Sequence, residues 1–138
     1  MNKHGNQEYW NRLLLTELPI PKEEIMEWVK AYAAPYKELM SYYRCAMMEV
    51  ETKFRVLNEE LSLEYDRNPI ETIKSRLKSV ESIGDKLSGM NKPITVESIE
   101  ENLKDVAGVR IICGLPSDIY TLADAFLRQD DIVLIQKK

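Results

Sequence analysis

Between positions 39 and 61, apolar residues recur at steps of three and four: Leu39, Tyr43, Met47, Val50, Phe54, Leu57 and Leu61. Such spacing lines up on one stripe of an α-helix, whereas a strand would scatter the same residues over both faces. A helix is therefore predicted over 36–63, with one face buried, and the rest of the chain must supply what covers it. Upstream, the segment beginning at Pro21 is helix-permissive, with Pro21 placed for a first turn and acids after it. Pro35 is expected to break this pattern, giving two helical pieces. Residues 1–21, with Trp10, Leu13 and Leu14 ahead of Pro19 and Pro21, read as a short packing arm followed by a break.

The helical period stops at Asp66, Arg67, Asn68 and Pro69, because the proline ring disfavours an α conformation at Asn68. Beyond it, Ile73, Ser75 and Leu77 alternate with Lys74, Arg76 and Lys78, which predicts a strand with three cations outward. Ser79 is placed to cap a short helix whose Val80, Ile83, Leu87 and Met90 face inward, closed by Gly89 and Pro93. A further helix is predicted over 95–103. Val109 to Cys113 read as a largely buried strand entered through Gly108, where a close backbone approach is expected. Pro116, Ser117 and Asp118 should start a helix with Ile119, Leu122, Ala123, Phe126 and Leu127 on one face, and 132–135 is the last strand candidate. The fold class is thus α+β (α/β-like): N-terminal helices over 1–65, then a small sheet with helices over 66–138. Three strands make a thin sheet, and the last would leave an open edge.

Composition narrows the function. With 19 basic and 23 acidic side chains the net charge is −4, which argues against general binding to nucleic acid or an anionic membrane. Charges interrupt every apolar stretch before it reaches the length of a membrane span, and the N-terminus has no secretory pattern, so a cytoplasmic protein is expected. Cys45 and Cys113 read as reduced, buried thiols. The single histidine, His4, lies in the N-terminal arm, which argues against His-based triads and zinc sites, and neither GxxxxGK(S/T) nor GxGxxG occurs. Met47 and Met48 are expected in the core.

Against this acidic background, residues 74–92 hold five bases (Lys74, Arg76, Lys78, Lys86, Lys92) and two acids, a local +3. Such a cluster beside a helix N-terminus spanning Ser79 to Ser82 can bind phosphate, or can be a solvated strand face. Asp105 lies between Leu103 and Val106 at the entrance to the second strand. It can hold magnesium bridged to substrate phosphates, or serve as a turn residue. Arg110 fits an ion pair or a phosphate contact.

The stretch NPIETIKSRLKSVESIGDKL, followed by LKDVAGVRIICGLPSDIYTLADAFLRQDDI, resembles the RelA/SpoT synthetase domain, above all the small alarmone synthetases of the stringent response. The resemblance implies a nucleotidyltransferase-like mixed sheet and transfer of pyrophosphate from ATP to the 3′-hydroxyl of GDP or GTP, with magnesium as cofactor. It assigns ATP contacts to Arg76, Lys78, Ser82, Lys86 and Arg110, and the metal to Asp105. Asp105, Arg76 and Lys86 are implied as catalytic. ATP and GDP or GTP are the implied partners, with a homo-oligomer in the full-length family. The family's guanine-stacking GYRS-like motif and its ExQxR strand do not occur in the sequence. A truncated synthetase domain, inactive alone and marginally stable, is therefore expected. A noncatalytic nucleotide-binding or protein-interaction module is the alternative.

Overall fold

A computed structural model describes residues 22–138. The arm expected over 1–21, with Trp10, Leu13, Leu14 and His4, lies outside the described residues. In chain order the elements are α1 (Lys22–Tyr65), β1 (Ile70–Leu77), α2 (Val80–Gly89), α3 (Val96–Asn102), β2 (Ala107–Cys113) and α4 (Pro116–Leu127).

Helix α1 runs unbroken for 44 residues with Pro35 inside it, so the expected division at Pro35 does not occur. An interior proline costs about 3 kcal/mol. Here Ala33 and Ala34 precede it, and Tyr36 and Leu39 immediately beyond it are buried, which offsets that cost. The predicted stripe lies on the covered side: Leu39 is buried, and Tyr43, Met47, Val50, Phe54, Leu57 and Leu61 are half-buried. Cys45 and Met48 are exposed, against the expectation of a buried thiol and a core methionine. Cys45 sits two residues from both Tyr43 and Met47, about 200° around the helix from each. Cys113 is half-buried, and both cysteines are free. The helix ends as the sequence predicts, with Asp66 in the left-handed region at φ 55°.

Strands β1 and β2 form a two-stranded sheet. It is antiparallel: the amide of Gly114, just after β2, donates to the carbonyl of Pro69, just before β1, at 3.1 Å. The strand expected over 132–135 is absent. Its apolar composition favours pairing only where a partner is present, and among the described residues nothing pairs with it. In β1, Ile73 and Leu77 are half-buried and Lys74 and Arg76 exposed, as predicted, but Ser75 is also exposed. Strand β2 is half-buried rather than fully covered, with Gly108 and Arg110 exposed. A Cβ added at Gly108 would meet nothing within 4 Å, so no close backbone approach explains that glycine.

The chain forms two compact units, each built from two segments. The first joins the described residues through Arg44 to Leu77–Ala107. Its core brings Tyr36 and Leu39 of α1 onto Val80, Ile83 and Leu87 of α2, Ile99 of α3, and Leu103 and Val106 after it. Ser79 caps α2 by accepting from the amide of Ser82, and Thr95 does the same for α3 through Ser98. Met90, expected inward, is the exposed C-cap residue of α2.

The second unit joins Cys45–Arg76 to Gly108–Lys138. Phe54 stacks on Phe126 with centroids 4.5 Å apart. Arg67 grips the buried Asp118 through two hydrogen bonds of 2.8 Å, and Asp118 also accepts from the amide of Leu115, closing the first turn of α4 behind Pro116. The predicted inner face of α4 is covered at Leu122, Ala123, Phe126 and Leu127, while Ile119 is exposed. No helix among the described residues is long and apolar enough to cross a membrane.

Candidate functional site

The site lies in the first unit, where three backbone devices fix the bases of its side chains. The amide of Lys78, one residue past β1, donates to the carbonyl of Val106 at 2.7 Å, tying the exit of β1 to the entrance of β2. Ser79 then turns the chain into α2, and the buried Ile83 and Leu87 fix which side of that helix faces outward. Asp105 sits on a loop clamped by buried Leu103 and Val106 on either side. Burying those neighbours forces the carboxylate itself to the surface.

Onto this frame the structure brings Lys78, Lys86 and Asp105 together. Lys78 Nζ lies 2.9 Å from Asp105 Oδ2, and Lys86 Nζ lies 2.9 Å from Asp105 Oδ1. Each carboxylate oxygen is thus taken by a different ammonium group. The two lysines, Lys86 first, hold the Asp105 carboxyl down to about 2 against the upward push of partial burial. It remains an anion at any physiological pH. Lys78 was expected to point outward from the strand, but it falls beyond the end of β1 and its side chain is only 14% exposed. Asp105 and Lys86 are 48% and 44% exposed, so the cluster is open to solvent on one side. Ser82 stands one turn before Lys86 on α2, and its Oγ accepts from Ser79 Oγ at 3.0 Å.

Arg76 and Arg110 are exposed on the strands, in the second compact unit, and neither makes an ion pair among the described residues. The ion pair anticipated as the simplest role of Arg110 is therefore not formed there. The sequence reading missed that Asp105 would be the counter-ion of two of the predicted phosphate-binding lysines. The available signal was the contrast between a local +3 and the nearest carboxylate in an otherwise acidic chain. It also missed the Arg67–Asp118 pair, whose partners are 51 residues apart.

No protein-family model matches the chain. The sequence is 36% identical over 113 residues to the GTP pyrophosphokinase YwaC of Bacillus subtilis (strain 168), covering 82% of this chain and 54% of that protein. Among solved structures, small alarmone synthetase 2 from Bacillus subtilis superposes with a TM-score of 0.60 at 39% identity, covering 75% of this chain and 50% of that one. Small alarmone synthetase 1 from the same organism, bound to AMPCPP, gives 0.62 at 28% identity, covering 72% and 54%. The same synthetase bound to its product pppGpp gives 0.59 at 29%, covering 70% and 48%.

The α+β arrangement of the chain is thus shared with the small alarmone synthetases. Over the matched residues the chain belongs with the small alarmone synthetases of the RelA/SpoT family. It spans about half the length of the curated relatives it matches.

Proposed function

We propose that this chain carries the ATP side of an alarmone synthetase, the part that holds the polyphosphate while its pyrophosphate passes to the 3′-hydroxyl of GDP or GTP. The observation that carries the reading is the convergence on Asp105 of Lys78, just before α2, and Lys86, in the last turn of α2. Two ammonium groups that flank one carboxylate can flank one phosphate equally well, since both anions present paired oxygens. In the same reading Ser82 supplies a hydroxyl to the phosphates, and Arg76 and Arg110 contact ATP.

Among the described residues, no group of three or more His, Cys, Asp or Glu converges as a ready-made metal site. One carboxylate does fit magnesium, which keeps several waters and is shared with substrate phosphates. Bound there, the metal would neutralise charge on the transferring phosphates. Asp105 would be its protein ligand, but both carboxylate oxygens are engaged by lysines. Binding is therefore an exchange: the lysines transfer to phosphate oxygens and release the carboxylate. With Asp105 itself half-exposed, such pairs are worth about 0–1 kcal/mol each, so the exchange costs little.

In the transfer, the 3′-oxygen of the acceptor bonds to the β-phosphorus of ATP while the bond from that phosphorus to the α,β-bridging oxygen breaks and AMP leaves. The lysines position the chain of phosphates and stabilise charge as it shifts to the leaving oxygen. With its lysines transferred to phosphate, Asp105 acts through its charge, and the hydroxyl proton leaves to solvent.

Calorimetric titration with AMPCPP tests the reading. The wild-type chain should bind with magnesium present, and Lys78→Gln with Lys86→Gln should abolish binding without unfolding the protein. Asp105→Asn, by freeing both lysines, should bind metal-free AMPCPP several-fold tighter than wild type while losing the gain from magnesium. Absence of AMPCPP binding by the wild type would overturn the assignment. The noncatalytic interaction module also has support, in the open sheet and the exposed apolar segment that follows α4.

A further inference from the structure

Within the second compact unit, an open groove of about 370 Å³ runs between α1 and the outer edge of β1. Its apolar floor includes Val56, Ile70 and Ile73, and its charged rim is Arg55, Glu59 and Glu71. In an extended strand the backbone groups of successive residues point to opposite edges. The carbonyl of Pro69 is taken by Gly114, so the backbone groups of Ile70 face the other way, and its amide donates to Asn58 Oδ1 of α1 at 3.0 Å. By the same alternation the N–H and C=O of Thr72 point into the groove, where no described residue pairs with them. Among the described residues that strand edge is unpaired, with a lined trough beside it, a surface that accepts an added strand.

The same unit carries a segment of matching chemistry. Asp131 is pinned to α1 by an ion pair of 2.9 Å to Lys53, and the residues beyond it leave the packed structure. Val133 is 81% and Ile135 86% exposed, Leu134 stands between them, and none of their backbone groups bonds to another described residue. Four apolar residues from Ile132 match the four groove-lining positions of β1 from Ile70 to Ile73. Lys137 and Lys138 follow, opposite in sign to Glu59 and Glu71. The segment does not occupy the groove of its own chain, although it starts beside α1.

We propose that residues 132–138 of one copy add as a strand to the outer edge of β1 in a second copy, with the backbone of Leu134 opposite Thr72. Each copy holds one donor segment and one acceptor groove, so a reciprocal exchange closes a two-fold dimer and leaves neither exposed. Val133 then meets Ile73 as an apolar cross-strand pair, and the lysines approach the glutamates of the rim.

Sedimentation velocity on the whole chain, over a wide concentration range, tests this. The wild type should associate to a dimer. Leu134→Pro removes the N–H that must meet Thr72, at a position outside every ladder of the fold, and should weaken the dimer by about tenfold or more, with an unchanged thermal midpoint at concentrations where both proteins are monomeric. Glu71→Lys should weaken it as well, and combining that change with Lys137→Glu and Lys138→Glu should restore it. A wild type that stays monomeric at every concentration overturns the proposal, whether or not its 132–138 amides are protected from exchange by docking in its own groove. So does a dimer that Leu134→Pro leaves intact.

Discussion

Asp105 is half exposed, yet its carboxyl is lowered from 3.8 to about 2 because two lysines donate to it, one on each oxygen. A group whose folded value is depressed adds stability that is present above its unfolded value and lost as pH falls through the folded one. The contribution of Asp105 should therefore be complete above about pH 4 and disappear towards pH 2, and solvent screening keeps it small. Carbon-detected NMR titration of the carboxyl should place its midpoint near 2 in the wild type. With Lys78→Gln and Lys86→Gln combined, it should return towards the ordinary value. A midpoint that stays low in the double variant would mean that something other than the lysines holds the anion. The residue types of this cluster were legible in the sequence. The pairing was not, because Lys78 and Asp105 are 27 residues apart and meet only when the backbone bond between Lys78 and Val106 forms.

At the scale of elements, the prominent misfit is Pro35 within a helix that continues for thirty residues beyond it. The proline removes one backbone donor and crowds the preceding turn, while the burial of Tyr36 and Leu39 requires the helical path to continue. Pro35→Ala should therefore stabilise the protein by about 1–3 kcal/mol, read as a higher urea midpoint with an unchanged slope. A lower midpoint would show that the proline is needed in the folded chain. Local periodicity located the inner stripe of α1, the cap at Ser79, and the start of α4 at Pro116, because each follows from neighbours within a turn or two. It failed where the outcome depends on distant groups. Segment 132–135 has strand composition and no strand partner, Ile119 has helical phase and nothing above it, and Cys45 has apolar neighbours in sequence but lies off the covered stripe.

For the whole molecule, α1 supplies packing to both compact units. Tyr36 and Leu39 enter the core of the first, and Phe54 stacks on Phe126 in the second. A division of the chain into a helical region over 1–65 and a synthetase-like region over 66–138 separates residues by type of structure, but it cuts through both units. Burial of one large apolar side chain is worth about 1.5–3 kcal/mol. A stacked aromatic pair adds about 0.5–1.5. Losing all three residues would remove several kcal/mol from a fold whose total stability is on the order of 5–15 kcal/mol. It would also uncover Ile83 and Leu87, each nearly inaccessible in the intact chain. Fragment 66–138 should accordingly be unfolded or molten, with collapsed amide dispersion in a proton–nitrogen correlation spectrum. Adding a peptide of residues 22–65 should restore dispersed resonances. A fragment 66–138 that unfolds cooperatively by itself would show that α1 is an accessory to the sheet-bearing region and that the two units do not depend on it.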